Sequence, residues 1–240
     1  MHTTRFLSIA ALFLATPALA MPDLLEAGAG YAGGGFDFWG PTSIAGTQHI
    51  AVGSLGPGNL PQPNVPYTTG FAYSWFGAAY STYLTAVYST SSTATTTTIT
   101  GTISLTCQIT NATSTPAYID ASASFNLPIQ ITQSCFVTST WWSSTGDPAL
   151  GTASYSAQSV FANSGFGPSS VIPTFASSGA FNAGAAQVYA GVQLDHMLVT
   201  DGDAAPQTVT LSFQIFAEVP GPGGAAVLIA ATLFRSRRRQ

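Results

Sequence analysis

The chain has 240 residues, of which 46% are hydrophobic and 6% charged, and it contains no lysine. Disordered chains are poor in hydrophobes and rich in charge, so this composition excludes one. All nine Asp and Glu lie between Met21 and Phe234, a span without Lys or Arg and with a formal charge of −9. Such a body has no cations to set against phosphate, which excludes nucleic acid as a partner and argues against anionic headgroups and phosphorylated substrates.

The first element is "MHTTRFLSIAALFLATPALA". Arg5 precedes an apolar run from Phe6 to Ala15, Thr16 and Pro17 break it, and Ala18 and Ala20 supply small residues at −3 and −1 of a cleavage site. Residues 1–20 therefore read as a signal helix removed by signal peptidase, and the mature chain is expected outside the cytoplasm from Met21 onward. Residues 21–66 are rich in Gly and Pro, as in "GAGYAGGGFDFWGP" and "GSLGPGNLPQPNVP". They read as the N-terminal part of the mature domain, loops around one or two short strands such as Gln48 to Val52. Gly28, Gly30 and Gly33 spell G-x-G-x-x-G, but no strand leads in and no helix follows, so the dinucleotide fingerprint lacks its context.

Residues 67–218 form the body. "STSSTATTTT", Ser89 to Thr98, is nine-tenths hydroxyl residues, a substrate for O-glycosylation or a solvent-facing approach to the next strand. After it the period becomes two. Ile99, Ile103, Leu105, Cys107 and Ile109 alternate with Thr100, Thr102, Ser104, Thr106 and Gln108, the pattern of a half-buried antiparallel strand. Asn111-Ala112-Thr113 is a formal glycosylation sequon. A second ribbon puts Ile119, Ala121, Ala123, Phe125, Leu127, Ile129, Ile131, Cys135 and Val137 on one face, with an interruption expected at Pro128. Val209, Leu211, Phe213 and Ile215 repeat the alternation near the end. Short strands with turn signals between them predict an all-β fold, an antiparallel β-sandwich of jelly-roll type.

Cys107 and Cys135 fall on the inward faces of what read as neighbouring strands in an exported chain, so a disulfide is expected, worth about 3.5 kcal/mol in the chain-entropy model. A metal site or reactive thiol lacks further ligands or cationic neighbours. Asp201 and Asp203 offer oxygen ligands to calcium, but Asp201-Gly202 serves equally as a polar hairpin turn; no metal and no cofactor are expected. Asp195-His196 is adjacent in sequence, and consecutive strand residues point to opposite faces, which argues against a simple dyad. No G-x-S-x-G, H-E-x-x-H or P-loop occurs. A glycosidase carboxylate pair depends on spatial separation, which sequence does not give. Aromatic residues near turns include Tyr73, Trp75, Tyr80, Trp141 and Trp142. Core packing accounts for most of them, and Trp141 and Trp142, facing oppositely, are the candidates for stacking on sugar rings.

The tail, 219–240, has three parts. Val219-Pro220-Gly221-Pro222 is a rigid break, Gly223 to Phe234 is apolar, and Arg235, Arg237, Arg238 and Arg239 follow. Arginines beside an apolar helix hold that end on the cytoplasmic side, so the body lies outside. Twelve helical residues reach about 18 Å against a hydrocarbon core of about 30 Å, which suits a transient stop better than a lasting anchor. The tail resembles the PEP-CTERM sorting signal of bacterial surface proteins, with Gly221 where the signature has Glu. The resemblance implies an exosortase-like processing enzyme as partner and the outer envelope or extracellular space as destination. The expected protein is a non-enzymatic surface or matrix protein of structural, adhesive type; the alternative is a carbohydrate-binding module that meets exopolysaccharide.

Overall fold

The computed structural model describes residues 23–42, 46–60, 62–147, 150–159, 163–168 and 174–220. Residues 1–20, expected to be a signal helix with Ala18 and Ala20 at its cleavage site, and the tail from Gly221 onward lie outside them. Among the described residues fourteen strands account for the regular structure: β1 Leu25–Ala27, β2 Gly30–Pro41, β3 Thr47–Leu60, β4 Tyr67–Trp75, β5 Ala78–Ser92, β6 Thr96–Asn111, β7 Ala117–Ile131, β8 Cys135–Thr145, β9 Thr152–Ser159, β10 Asn163–Pro168, β11 Thr174–Phe181, β12 Gly184–Val199, β13 Gly202–Asp203 and β14 Gln207–Glu218. No helix occurs among the described residues.

The strands form two antiparallel sheets packed face to face. Sheet A runs β10-β9-β12-β7-β2-β3, with β1 added beside β7; sheet B runs β11-β8-β14-β6-β5-β4, with β13 beside β6. In the interior β6 packs on β7 and β12, β12 on β14, and β2 on β5. The alternation read from the sequence is borne out: Ile99, Ile103, Leu105 and Ile109 of β6 and Val209, Leu211, Phe213 and Ile215 of β14 are buried. Their threonine and serine neighbours face outward and pair across strands, Thr102 with Ser212, Ser104 with Thr210 and Thr106 with Thr208, each at 3.0 Å. Hydroxyl pairs of this kind are favourable cross-strand contacts, and they clothe a face that carries almost no charge.

Three expectations need correction. Residues 21–66 are not mostly loop: β2 and β3 have 12 and 14 residues and complete sheet A. Several of the glycines there, unlike Gly46 with its φ of 121°, make room rather than turns. A Cβ on Gly34 would come within 2.0 Å of the Ser122 carbonyl oxygen, so the backbone of β2 can lie against β7 only without one. Pro128 does not interrupt its ribbon. Its carbonyl accepts from Gly28 N at 2.8 Å, and N and O of one residue point the same way in an antiparallel ladder. The missing donor therefore faces the break between β1 and β2 and not β12. The ribbon instead turns after Ile131, and Cys135 and Val137 begin β8 in the other sheet.

The third correction concerns the cysteines, which are both free and buried. Both face inward, as expected, but β14 lies between β6 and β8. Cys107 is opposite Gln207 at the start of β14, whereas Phe136, next to Cys135, is opposite Glu218 at its end. That offset is roughly 40 Å along the strands, and no disulfide spans it.

Candidate functional site

The groups with most chemistry gather on the outer face of sheet A. Asp37-Phe38-Trp39 on β2 and Tyr118-Ile119-Asp120 on β7 are reversed copies of one pattern, and antiparallel pairing sets Asp37 opposite Asp120 and Trp39 opposite Tyr118. The middle residues, Phe38 and Ile119, point into the core. The rings of Trp39 and Tyr118 stack at 5.4 Å and 15°.

Histidines from the flanking strands close both sides. On β3 a register shift beside Trp39 brings His49 against it, rings 5.1 Å apart, with Nε2 2.5 Å from Asp37 Oδ1. On β12 the ladder shifts between Leu194 and Met197, and His196 adopts φ 54°. Its Nδ1 lies 3.1 Å from Asp120 Oδ1, and its backbone N–H donates to the same oxygen at 2.5 Å. The result is a row of four rings, His49, Trp39, Tyr118 and His196, with two carboxylates behind it. Burial, then the charges of Asp120 and Asp37, raise the Tyr118 phenol above its ordinary value. Asp195 takes no part with His196; it accepts from Gln193 Nε2 at 2.7 Å.

Further along the same face the side chains shrink. Ser122 and Ser124 of β7, Ser154 and Ser156 of β9, and Gly34 line a trough of about 360 Å³ walled by Tyr189. A Cβ on Gly191 would meet Ser156 Oγ at 2.5 Å, so glycine keeps this floor low. Ser122 is two residues from Asp120 on the same strand face, which places the trough beside the ring row. Hydroxyls, amides, carboxylates and flat rings are the groups that bind polyhydroxylated ligands.

The residues singled out from sequence sit elsewhere. Trp141 is fully buried, packed on Phe213 at 5.1 Å, and is therefore no sugar platform. Trp142 is 40% exposed on the outer face of sheet B, as its opposite parity requires. Asp201 and Asp203 flank Gly202, at φ 78°, in an exposed turn leading into β13. Among the described residues no group of three or more His, Cys, Asp or Glu stands ready to hold a metal. Asn111 is buried and fully engaged: Nδ2 donates to Thr115 O and Val199 O, and Oδ1 accepts from Thr113, so it is no glycosylation site in the fold. Of the residues expected to form a sorting motif, Val219 and Pro220 are described; Val219 N donates to Thr95 O at 3.0 Å, tying the start of the tail to the β5–β6 turn. Gly221, Pro222 and the arginines lie outside.

The sequence did hold a signal for the ring row, the mirrored D-x-W and Y-x-D. It becomes legible only when β2 and β7 are known to pair. No family model matches the chain, and no curated protein matches it.

Proposed function

We propose that the chain is an exported bacterial cell-surface or extracellular-matrix protein of structural, adhesive type, without catalytic activity. Signal peptidase releases it at Ala20, and an exosortase-like enzyme handles the tail, which rests in the inner membrane until then. The sandwich, wrapped in jelly-roll fashion, is its adhesive part. The observation that supports this reading is the character of the surface: sheet B is clothed in paired hydroxyls, and no described residue is a Lys or Arg. Such a surface suits neutral hydrated polymers and repels anionic ones. The test is the intact mass of the protein recovered from cell fractions. A mass beginning at Met21, found in the envelope or medium, supports export; an unprocessed chain in the cytosol defeats it.

The trough on sheet A favours a second reading, a carbohydrate-binding module for exopolysaccharide. Sugar rings would lie against the outer edges of Trp39 and Tyr118, whose faces meet each other and the histidines, while their hydroxyls meet the serines. Pull-down on purified exopolysaccharide tests it: retention lost in Trp39→Ala and kept in Trp142→Ala supports the trough, and the reverse moves the contact to sheet B.

A further inference from the structure

The two sheets differ at their edges. In sheet A, β3 carries Pro57 and meets β2 through two register shifts. The other edge, β10, has six residues, ends in Pro168 and pairs with an irregularity beside it. Prolines and bulges are among the devices that stop an edge from recruiting another strand. Sheet B has none of them. Its edges, β4 (YTTGFAYSW) and β11 (TFASSGAF), contain no proline and no charged residue and pair with β5 and β8 without a shift. Among the described residues no strand pairs with the outer side of either.

We propose that sheet B continues from one copy of this chain into the next, β4 of one copy pairing with β11 of its neighbour. Direction favours it. Sheet B has six strands along its path, all antiparallel to their neighbours, so β4 and β11 run oppositely. A copy displaced sideways therefore presents β11 antiparallel to β4, the more stable ladder. Lengths of nine and eight residues match. The outward side chains are small on both, Thr68, Gly70, Ala72 and Ser74 against Thr174, Ala176, Ser178 and Ala180, and nothing there clashes or repels. On the core side, Phe71 at one edge and Phe175 at the other are only partly covered, and pairing would join them to one continuous interior. Because the two patches differ, each contact leaves a fresh edge, so growth is head-to-tail and open. Sheet twist would wind the array by roughly 20–25° per strand. The inference is independent of what the trough binds.

Light scattering of the full chain over a range of concentrations tests it. The wild type is expected to form a concentration-dependent series of species. Placing like charges on both edges, Ala72→Lys with Ala176→Lys and Ser178→Lys, is expected to weaken association about tenfold or more. These positions are exposed and face away from the core, and circular dichroism checks that the variants fold. Opposite charges, Ala72→Lys with Ala176→Glu and Ser178→Glu, are expected to restore it. A wild type that stays monomeric overturns the proposal. So does a lysine variant that associates like the wild type, as attachment through the tail would produce. Failure of the charge-swapped variant to recover also overturns it, because that outcome means β4 pairs with β4.

Discussion

Asp37 and Asp120 stand directly opposite each other on β2 and β7, and each is held by a different histidine. Like charges in direct cross-strand register destabilise a sheet, by up to about 1 kcal/mol. The two residues nonetheless differ, because Asp120 also accepts the backbone N–H of His196 at the bulge. Asp37→Asn is therefore expected to raise stability by a few tenths to about 1 kcal/mol, since it removes one charge of the facing pair. Asp120→Ala is expected to lower it by about 1–2 kcal/mol, by freeing the bulge. Urea unfolding of both variants reads the opposite signs.

Trp141 and Trp142 are neighbours with opposite fates. Trp141→Ala empties the core beside Phe213 and is expected to cost about 3–5 kcal/mol. Trp142→Ala removes an exposed ring and should stay within about 1 kcal/mol of the wild type. Thermal melts of the two separate them. Equal losses would mean that Trp142 is covered in solution.

With Cys107 and Cys135 at opposite ends of sheet B, the native protein is expected to carry two free thiols. Thiol titration should find none accessible in the fold and two after unfolding without reductant. Added reductant should leave the melting temperature unchanged.

Burial pushes the Tyr80 phenol from 10.0 up to about 12, and burial pushes the Cys107 thiol from 9.0 up to about 12, the Thr82 hydroxyl pulling slightly the other way. In both groups the fold favours the neutral form, so the unfolded chain releases these protons first. Stability is then unaffected below about pH 9 and falls as pH rises from about 9 to about 12. Melting temperature against pH checks this, and Tyr80→Phe is expected to make the alkaline fall shallower.

What could be read from the chain followed periodicity. β6, β7 and β14 were legible because a period of two over ten or more residues has few other physical causes. β2 and β3 were not. Their glycines look like turn residues, and only the fold shows that Gly34, against the Ser122 carbonyl, and Gly53 and Gly58, against the rings of Phe36 and Tyr67, are strand residues packed too closely for a side chain. The cysteines failed for a related reason: alternation gives the face of Cys107 and Cys135, but strand order decides their distance. The ring row was hidden for the same cause, since neither D-x-W nor Y-x-D means anything until the two are set side by side. His196 reaches Asp120 through a bulge, which no simple alternation foresees.

The hydroxyl-clad outer face of sheet B takes the place of the lysines and arginines that most soluble proteins display there. From Phe6 to Phe234 the chain therefore offers trypsin no bond to cut, folded or unfolded. Trypsin-like proteases would cut only after Arg5 and the tail arginines and leave that span whole, whereas enzymes that cut after aromatic residues would find sites wherever the sandwich opens.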